Sequence, residues 1–477
     1  MTSLFRVKTF MWPAIGHLSR LRLAGPVSRL LLALTKKLEL PADKPRARSN
    51  RTPQRVLVLS IDKAGVREDI REIFAGVENF EVVVWPSYAL RAIAAVLLAP
   101  GLSHDRYVTT DSAIEATKLR YRQFLRQVWQ RLTARYRIDA VMGVNFGYYV
   151  QREFAAALEE SGTPFIILQK ENLNGMTPRR ADFWRLVYEK GRGKFTGRKI
   201  LVYNDIERDL QISSGIVKPD AVVVTGMPRL DRIHRWRRDN AGSKSERPQV
   251  LFFGFSRKDK VPARSMKKLK AEGLLATAAA LDQAAEQWEN LSWDQLCIGT
   301  CRGIAAFARS HPEVQVVVKT KAQTRQTEET VELLKGGGEL PPNIQVIRGG
   351  DPFELITRSS VVVGFNTTGL VEAIAAGKPA IVPWFGEVHN ETMRDIILDL
   401  GDAVDYAHSP EDLAKKITAC LMAGASVPLA LPDSSARTLR RLVGNDDGAA
   451  AARVLQFLLA EIAASPRGPF RSALIQS

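Results

Sequence analysis

Short apolar runs rich in β-branched residues recur along the chain and constrain its fold more than any other feature. They are continuous rather than alternating, and segments with a helical pattern separate most of them. Such runs are typical of parallel strands that helices cover on both faces. The pattern therefore predicts α/β structure with parallel sheets. The first series comprises residues 55–62, 80–86, 139–146, 164–171, 199–204 and 220–226.

A charged, Gly- and Ser-containing stretch at residues 235–248 interrupts the runs, and a second series follows it. One core rarely grows beyond roughly 250–300 residues, so 477 residues with 45% hydrophobic content favour two domains. The second series comprises residues 250–256, 314–321, 343–350, 359–366, 378–385 and 403–408. We predict a first domain at 55–235, a linker at 236–248, a second domain at 249–445, and a closing helix and tail at 446–477 that is apolar enough to pack back across the junction.

Residues 1–54 have a different character, with eleven Lys or Arg side chains against only Glu39 and Asp43. We predict a basic arm outside the core. A helix over residues 27–40 would place leucines on one side and cations on the other, which suits an anionic lipid surface. A solvated or locally docked extension is the equally weighted alternative.

Composition limits the partners. With 68 basic and 51 acidic residues the formal charge is +17, which favours an anionic partner such as a phosphorylated substrate, a membrane or a nucleic acid. No RRM, KH or zinc-finger signature supports nucleic acid. Three cysteines cannot build a disulfide framework or a four-cysteine zinc site, and no apolar stretch approaches about 18 residues. We expect a cytoplasmic protein, with a peripheral position at the inner membrane as an extension of that expectation.

The most informative motif is SSVVVGFNTTGLVEAIAAGKPAIVPWFGE at residues 359–387, a predicted strand, turn, helix and strand. Its helix would begin with free backbone N–H groups and hydroxyls that can hold a diphosphate without metal. Glu372, one turn later, could accept hydrogen bonds from a ribose. The alternative is an ordinary N-capped helix. The candidate anion-binding residues are Asn366, Thr367, Thr368 and Gly369.

Three segments together resemble a known family. GFNTTGLVEAIAAGKPAIVP, VVVTGMPRLDRI and VVVKTK are similar to the donor-site, domain-closing and phosphate-contacting segments of the GT-B glycosyltransferases of bacterial capsule and lipopolysaccharide assembly, whose relatives include the CDP-glycerol glycerophosphotransferases. The resemblance spans most of residues 55–420. It implies two Rossmann-like domains facing each other across a cleft, a nucleotide-sugar donor on the second domain, a saccharide or lipid-linked acceptor on the first, and no cofactor.

The same resemblance identifies further candidate donor ligands. Lys319 and Lys321 would contact donor phosphates from the end of a second-domain strand, and Arg257 would border the donor from another loop. Relatives often carry Pro and His after the lysine, whereas this chain has Thr320 and Lys321 there. His389, just after PWFGEV, could reach the sugar. Ordinary solvated side chains are the alternative for these residues.

The acceptor side needs a base that takes the proton of the attacking hydroxyl. Polar residues end several first-domain strands, among them Asp62, Asn145, Glu171 and Asn172. Our first candidate for the base is Glu171, because QKENLNG loosens into a Gly-containing loop after a buried strand, and Asp62 is the second. A helix cap or loop carboxylate is the alternative. No H-x-x-x-H or D-x-D pattern occurs, so no metal site is predicted.

Three other functions fit parts of the pattern. A CDP-glycerol-type glycerophosphotransferase would keep the same fold and differ only in its donor. A nucleotide-sugar 2-epimerase shares the architecture, but FNTTG replaces the acidic, Gly-rich turn expected there. A non-catalytic carbohydrate-assembly scaffold would keep the fold and lose none of its function when Lys319 and Glu372 are replaced.

Overall fold

The computed structural model describes residues 2–40, 53–63, 65–104, 106–170, 172–244, 248–258, 291–321, 324–424 and 426–466, with side chains from residue 11. Two mainly parallel sheets, each covered by helices, form two domains. Within these ranges, none of the helices is both long and apolar enough to cross a bilayer.

The first sheet has the order β1-β3-β2-β4-β5-β6-β7. All neighbouring strands are parallel except β1, which pairs antiparallel with β3. The six predicted strands of the first series are confirmed, and only the two-residue β1 was missed. The strands are β1 (Lys36–Lys37), β2 (Gln54–Leu59), β3 (Phe80–Trp85), β4 (Ala140–Gly143), β5 (Phe165–Leu168), β6 (Lys199–Val202) and β7 (Val222–Val224).

Helices of the first half lie on both faces of this sheet, as the apolar strands require. A π-helical turn, Val187–Arg192, extends α7, and a 3₁₀ turn, Pro219–Ala221, precedes β7. The helices are α1 (Thr2–Arg20), α2 (Ala24–Leu34), α3 (Val66–Phe74), α4 (Tyr88–Leu97), α5 (Ser112–Thr133), α6 (Tyr149–Glu160), α7 (Pro178–Leu186), α8 (Asp205–Ser213) and α9 (Leu230–Asp239).

The second sheet is entirely parallel, with the order β10-β9-β8-β11-β12-β13, and it confirms all six strands of the second series. The strands are β8 (Gln249–Phe253), β9 (Gln315–Thr320), β10 (Ile344–Arg348), β11 (Val361–Gly364), β12 (Ala380–Pro383) and β13 (Asp405–Ala407). The helices are α10 (Asp294–Ser310), α11 (Thr324–Lys335), α12 (Pro352–Arg358), α13 (Thr368–Ala375), α14 (Glu391–Arg394), α15 (Pro410–Ala423), α16 (Asp433–Val443) and α17 (Ala450–Ala464), with 3₁₀ turns at Gly386–His389 and Gly401–Ala403.

The strand orders fix where ligands can bind. Each sheet reverses its winding direction once, between β2 and β4 in the first domain and between β8 and β11 in the second. Ligands of doubly wound sheets bind outside the carboxyl ends of the strands at this reversal. The predicted fold class of two doubly wound α/β domains is confirmed.

The N-terminal segment differs from the predicted arm in its described part. Val27, Leu31 and Leu34 of α2 are buried in the first domain's core, and Trp85 donates its indole N–H to the Thr35 hydroxyl at 2.9 Å. The leucines of α2 therefore face protein, because the helix pairs with α5 and β1 extends the sheet. Residues 11–40 form the docked extension, which was the alternative prediction.

Helices α9 and α17 lie at the junction between the two domains. Helix α9 runs to Asp239, so the predicted linker at 236–248 begins inside a helix. Helix α17 packs against α3 and α9, and Ser465 donates its hydroxyl proton to the Gly162 carbonyl of the first domain. The return of the C-terminal helix across the junction is thus confirmed.

Candidate active site

A cavity of about 550 Å³ lies between the two domains. The first domain lines it with residues that follow β4, β5 and β6, and the second domain lines it with residues that follow β11 and α14. It opens at the carboxyl ends of both sheets, where ligands of this fold bind. We call it the interdomain cavity; it is lined by Asn145, Tyr148, Lys170, Asn172, Leu173, Asn174, Met176, Arg180, Trp184, Arg192, Tyr203, Met227, Arg229, Asn366, Thr368, Ile396, Ile397, Leu398 and Val443.

Four cations line this cavity, namely Lys170, Arg180, Arg192 and Arg229, whereas no Asp, Glu or His is among its described lining residues. Burial lowers the pKa of Arg180 to about 10, with the Asp395 carboxylate opposing the shift. The Arg180 Nε donates to the Asn174 carbonyl at 3.2 Å, which fixes the base of the side chain. An excess of positive charge at a half-buried interface favours an anionic ligand.

An aromatic cage holds the guanidinium of Arg192. Its central carbon lies 5.5 Å from the ring centre of Phe146, 5.4 Å from that of Trp184 and 5.0 Å from that of Tyr188. Stacking of this kind fixes the orientation of a guanidinium. The sequence carries a periodic signal for this wall that was not among the predictions. Every fourth residue along α7 and the π turn contributes to the cavity or to the cage, namely Arg180, Trp184, Tyr188 and Arg192.

The start of α13 forms the opposite wall, as the motif predicted. The Thr367 hydroxyl caps the helix by accepting from the Gly369 N–H at 3.2 Å, and Thr368 faces the cavity. Asn366 also lines the cavity, in a left-handed conformation with φ of 49°. Its amide donates to the Ile396 carbonyl at 3.0 Å and accepts from the Leu398 N–H at 2.6 Å. These two bonds hold the apolar segment after α14 against the helix start.

Gly369 has a packing reason for being glycine. A Cβ atom at this position would come within 2.6 Å of the Phe253 ring, which is closer than real Cβ contacts occur. The close approach of α13 to β8 therefore requires the missing side chain. Gly369 itself is buried and does not line the interdomain cavity.

Glu372 takes part in an ion network that joins the domains. Arg229, at the entry to α9, contacts the Asp69 carboxylate at 3.0 Å on one side and the Glu372 carboxylate at 3.4 Å on the other. The Tyr203 hydroxyl also donates to Asp69 at 3.0 Å. Asp69 comes from α3 of the first domain and Glu372 from α13 of the second. Glu372, which was predicted as a ribose ligand, therefore contacts Arg229 in this structure, and the Glu372 side chain is 5% exposed.

Burial sets the protonation tendencies of this network. It raises the pKa of both Asp69 and Glu372, while the Arg229 guanidinium opposes that shift at each carboxyl group. The two carboxylates in turn raise the pKa of Arg229 and more than offset its burial, so it stays charged. A second bridge lies beside the first, because Arg232 of α9 binds both Asp351 carboxylate oxygens at 2.9 and 2.7 Å. The segment VVVTGMPRLDRI therefore closes the domains, as the resemblance implied.

The strand-end lysines differ from one another. Lys319 is the penultimate residue of β9 and is half-buried. Burial lowers its pKa, and the Glu372 and Asp351 carboxylates favour its charged form. The positive charge of Lys319 therefore interacts with the carboxylates of the interdomain network. Lys321 is exposed at the surface. Neither lysine is among the described residues that line the interdomain cavity.

Arg257 and His389 do not reach the cavity either. Arg257 pairs with Asp294 at 3.2 Å and with Glu329 at 2.7 Å, so its guanidinium bridges α10 and α11. His389 is exposed at the end of a 3₁₀ turn. In that turn Glu387 accepts from the backbone N–H groups of the first turn of α10. Both predicted donor ligands thus belong to loops whose described contacts lie elsewhere in the second domain.

The two candidate bases have different positions. Glu171 lies outside the described residues, although its neighbours Lys170 and Asn172 both line the interdomain cavity. Asp62 is exposed and lines a separate pocket with Trp12 and Arg91. Asn145 and Asn172, predicted as strand-end polar residues, do line the interdomain cavity.

A second cavity, of about 310 Å³, lies at the winding reversal of the first sheet. Ser60, His104, Tyr148, Tyr149 and Gln151 line it, and Tyr148 also lines the interdomain cavity, so the two adjoin. Ser60 has a left-handed φ of 60° and accepts a hydrogen bond from the Gln151 amide at 3.1 Å. Hydroxyl, amide and aromatic groups together can bind a ligand rich in hydroxyl groups.

Comparison with known proteins gives only an overall likeness. No protein-family model and no curated protein matches this chain. Solved structures that resemble it include UDP-GlcNAc 2-epimerase from Neisseria meningitidis bound to UDP-GlcNAc, with 12% identity, a TM-score of 0.44 and coverage of 85% of this chain and 100% of that one. MurG of Acinetobacter baumannii has 15% identity, a TM-score of 0.40 and coverage of 86% and 100%. Sucrose-phosphate synthase from Thermosynechococcus elongatus has 12%, 0.42, and 86% and 100%. At such low values, function must be argued from the site.

Proposed function

We propose that this protein is a metal-independent glycosyltransferase that moves a sugar from a nucleotide-sugar donor to a saccharide or lipid-linked acceptor of bacterial surface carbohydrate. One observation carries the proposal: besides Arg229, which two carboxylates already bind, three cations line the interdomain cavity, and its described lining residues include no carboxylate. Its volume of about 550 Å³ lies within the roughly 300–1,000 Å³ usual for small-ligand sites.

The chemistry of the cavity fits a nucleoside diphosphate. The N-terminal turn of α13 presents backbone N–H groups and Thr368 toward a diphosphate, and Lys170, Arg180 and Arg192 supply charge from the facing domain. When the bond between the sugar and the diphosphate breaks, negative charge grows on the leaving oxygen. Preorganised cations stabilise this charge without a metal ion. The donor would thus lie between the domains, in contact with both.

The acceptor and the base belong to the first domain in this proposal. The 310 Å³ cavity adjoins the interdomain cavity at Tyr148, so an acceptor hydroxyl could approach the donor there. Glu171 remains our candidate for the base, since Lys170 and Asn172 on either side of it line the cleft. It would accept the hydroxyl proton as the new glycosidic bond forms. Asp62 remains the second candidate.

We further propose a cytoplasmic location at the inner membrane surface. At the turn between α1 and α2, exposed Leu21 and Leu23 alternate with exposed Arg20 and Arg22. Apolar side chains among cations suit an anionic lipid surface. Co-sedimentation with anionic vesicles should weaken in a Leu21→Ser/Leu23→Ser variant. The same change at Met422, which is 83% exposed elsewhere, should have no effect. Equal binding by all three proteins would remove the membrane proposal.

The first test is a thermal-shift screen against UDP-, GDP-, CDP- and CMP-linked sugars and CDP-glycerol. A ligand at 100 times its Kd stabilises the native state by about 2.7 kcal/mol. We expect one nucleotide class to raise the Tm selectively. The shift should shrink in Lys170→Met and Thr368→Val, and persist in the control Lys218→Met, which changes an exposed first-domain lysine.

The outcome also separates the alternatives. A shift with CDP-glycerol alone would favour glycerol phosphate transfer, and transfer of labelled glycerol phosphate would then be measured. A Lys319→Ala variant shows whether the strand-end lysine contributes, as the resemblance implied. If no donor shifts the Tm of the unmodified protein, the transferase proposal fails and the hypothesis of a non-catalytic scaffold replaces it.

A further inference from the structure

A third cavity, of about 490 Å³, lies at the edge of the second sheet opposite the interdomain cavity. Pro248, Ser360 and Pro379, which line it, directly precede β8, β11 and β12. Because all strands of this sheet are parallel, their first residues lie at one edge and the ligand edge is the other. This back cavity therefore lies apart from the proposed donor site, and the inference drawn from it does not depend on glycosyl transfer.

Three cations line the back cavity, namely Lys244, Arg358 and Lys378, and its described lining residues include no Asp or Glu. Lys378 is partly buried with its ammonium 5.0 Å from the ring centre of Trp236. Burial lowers the pKa of this lysine to about 8. Among the described contacts, neither the Lys244 ammonium nor the Lys378 ammonium has a hydrogen bond or ion pair, so both can pair with an incoming anion.

Helix capping does not account for these cations. Four helices end near the cavity, and cations often stabilise exposed helix carbonyls. At each of the four helix ends, a donor other than a lysine reaches one carbonyl of the last turn. Arg237 donates to Ala375 of α13 at 3.0 Å, the Asn240 amide to Trp236 of α9 at 2.8 Å, and Ser359 to Leu355 of α12 at 2.6 Å. The Gly424 N–H donates to Leu421 of α15 at 3.2 Å. No lysine is required for these four carbonyls.

The remaining lining groups suggest the class of ligand. Ser243, Ser360, Thr357 and Asn240 offer hydroxyl and amide donors, while Trp236 and Leu421 offer apolar surface. Cations with neutral donors recognise phosphate oxygens, and the apolar groups suit the organic part of a phosphate ester. We propose that the back cavity is a binding site for a small organic phosphate, held by Lys244, Arg358 and Lys378.

Pyridoxal 5′-phosphate is a suitable probe, because it combines a phosphate, an apolar ring and an aldehyde. The neutral amine of Lys378 would attack the aldehyde carbon and release water to form an imine. Borohydride would then deliver hydride to the imine carbon and leave a stable secondary amine. Peptide mass spectrometry of the full-length protein measures the labelled fraction of Lys378 and of exposed Lys218.

Pyridoxal, which lacks the phosphate, separates phosphate binding from the reactivity of the amine. We expect the phosphate form to label Lys378 about tenfold faster than pyridoxal does, the factor that one charge-assisted hydrogen bond supplies. Pyridoxal closes in part to an internal hemiacetal, which slows its reaction with every lysine, so the expected tenfold factor is the preference at Lys378 divided by the preference at exposed Lys218. Inorganic phosphate should slow the labelling of Lys378 by pyridoxal 5′-phosphate and leave its labelling by pyridoxal unchanged.

Variants test the other two cations. Lys244→Ala and Arg358→Ala should each slow labelling of Lys378 by pyridoxal 5′-phosphate and leave labelling by pyridoxal unchanged, whereas Lys218→Ala should change neither. Equal labelling of Lys378 by both aldehydes would overturn the proposal. So would a phosphate preference that survives both cavity variants.

Discussion

Replacing Arg229 by methionine should lower the stability of this protein more than the loss of any exposed ion pair. The change keeps the length of the side chain but removes the cation between Asp69 and Glu372, two carboxyl groups that are 2% and 5% exposed. Breaking a buried ion pair by removing one partner costs about 3–5 kcal/mol, because the other charge stays buried. At about 2–4 °C per kcal/mol for domains of this size, the Tm should fall by roughly 10 °C.

The assay is thermal unfolding at several pH values. Burial already raises the pKa of Asp69 and Glu372, and without Arg229 only the weaker effects of the Tyr203 hydroxyl on Asp69 and of the Arg232 charge on Glu372 oppose that shift. The folded variant then binds protons that the unfolded chain releases, so its stability is lost as the pH rises and recovers as the pH falls. We expect the Tm deficit to be largest near neutral pH and to shrink toward pH 5.

Two controls make the reasoning refutable. The triple variant Asp69→Asn/Arg229→Met/Glu372→Gln removes all three charges of this ion pair network. Its Tm should recover most of the decrease seen in Arg229→Met. Arg358→Ala breaks an exposed pair with Glu354, whose members are 73% and 56% exposed, and should cost less than about 1 kcal/mol. If Arg229→Met costs no more than Arg358→Ala, or if the deficit does not depend on pH, the buried network does not hold the domains together as argued.

Two further predictions concern the second domain. Gly369→Ala should destabilise the protein by about 1–3 kcal/mol, because its methyl group would overlap the Phe253 ring, and a second change Phe253→Leu should restore part of the Tm lost; a neutral Gly369→Ala would refute the packing argument. Lys378 has a pKa lowered by burial to about 8, below its ordinary value of 10.5, so the folded state binds fewer protons than the unfolded chain. Relative to Lys378→Met, the unmodified protein should therefore gain stability as the pH rises from about 8 toward 10.5, whereas Lys218→Met, at an exposed site, should show no such pH dependence in thermal unfolding.

Much of the fold could be predicted from local pattern. All twelve apolar runs are strands. A continuous β-branched run is typical of a parallel strand whose sheet is covered by helices on both faces. This pattern can be recognised within a few residues of sequence. The start of α13 could be predicted for a similar reason, since the cap of Thr367 on Gly369 involves neighbours in sequence. For the N-terminal segment the lipid-facing arm and the docked extension stayed equally weighted, because cations and leucines together fit a lipid surface and a protein surface equally well; the structure shows the docked extension for residues 11–40.

Most of the candidate site could not be predicted, because its residues come together only in the folded chain. Local sequence placed Thr368 and Asn366 at a helix start and Asn145 and Asn172 at strand ends, and all four line the interdomain cavity. Arg257 was assigned to the donor although Asp294 and Glu329, distant in sequence, bind its guanidinium.

The sequence by itself determined two α/β domains with parallel strands and the edge of each sheet at which polar residues follow the strands, because periodicity and capping depend on residues a few positions apart. Only the tertiary structure decided which charges meet. Arg229 lies between Asp69, which is 160 residues before it, and Glu372, which is 143 residues after it. It also brought Arg180 and Arg192 opposite Thr368. Such pairings depend on how two separately folded sheets are docked, and no local pattern of residues encodes that geometry.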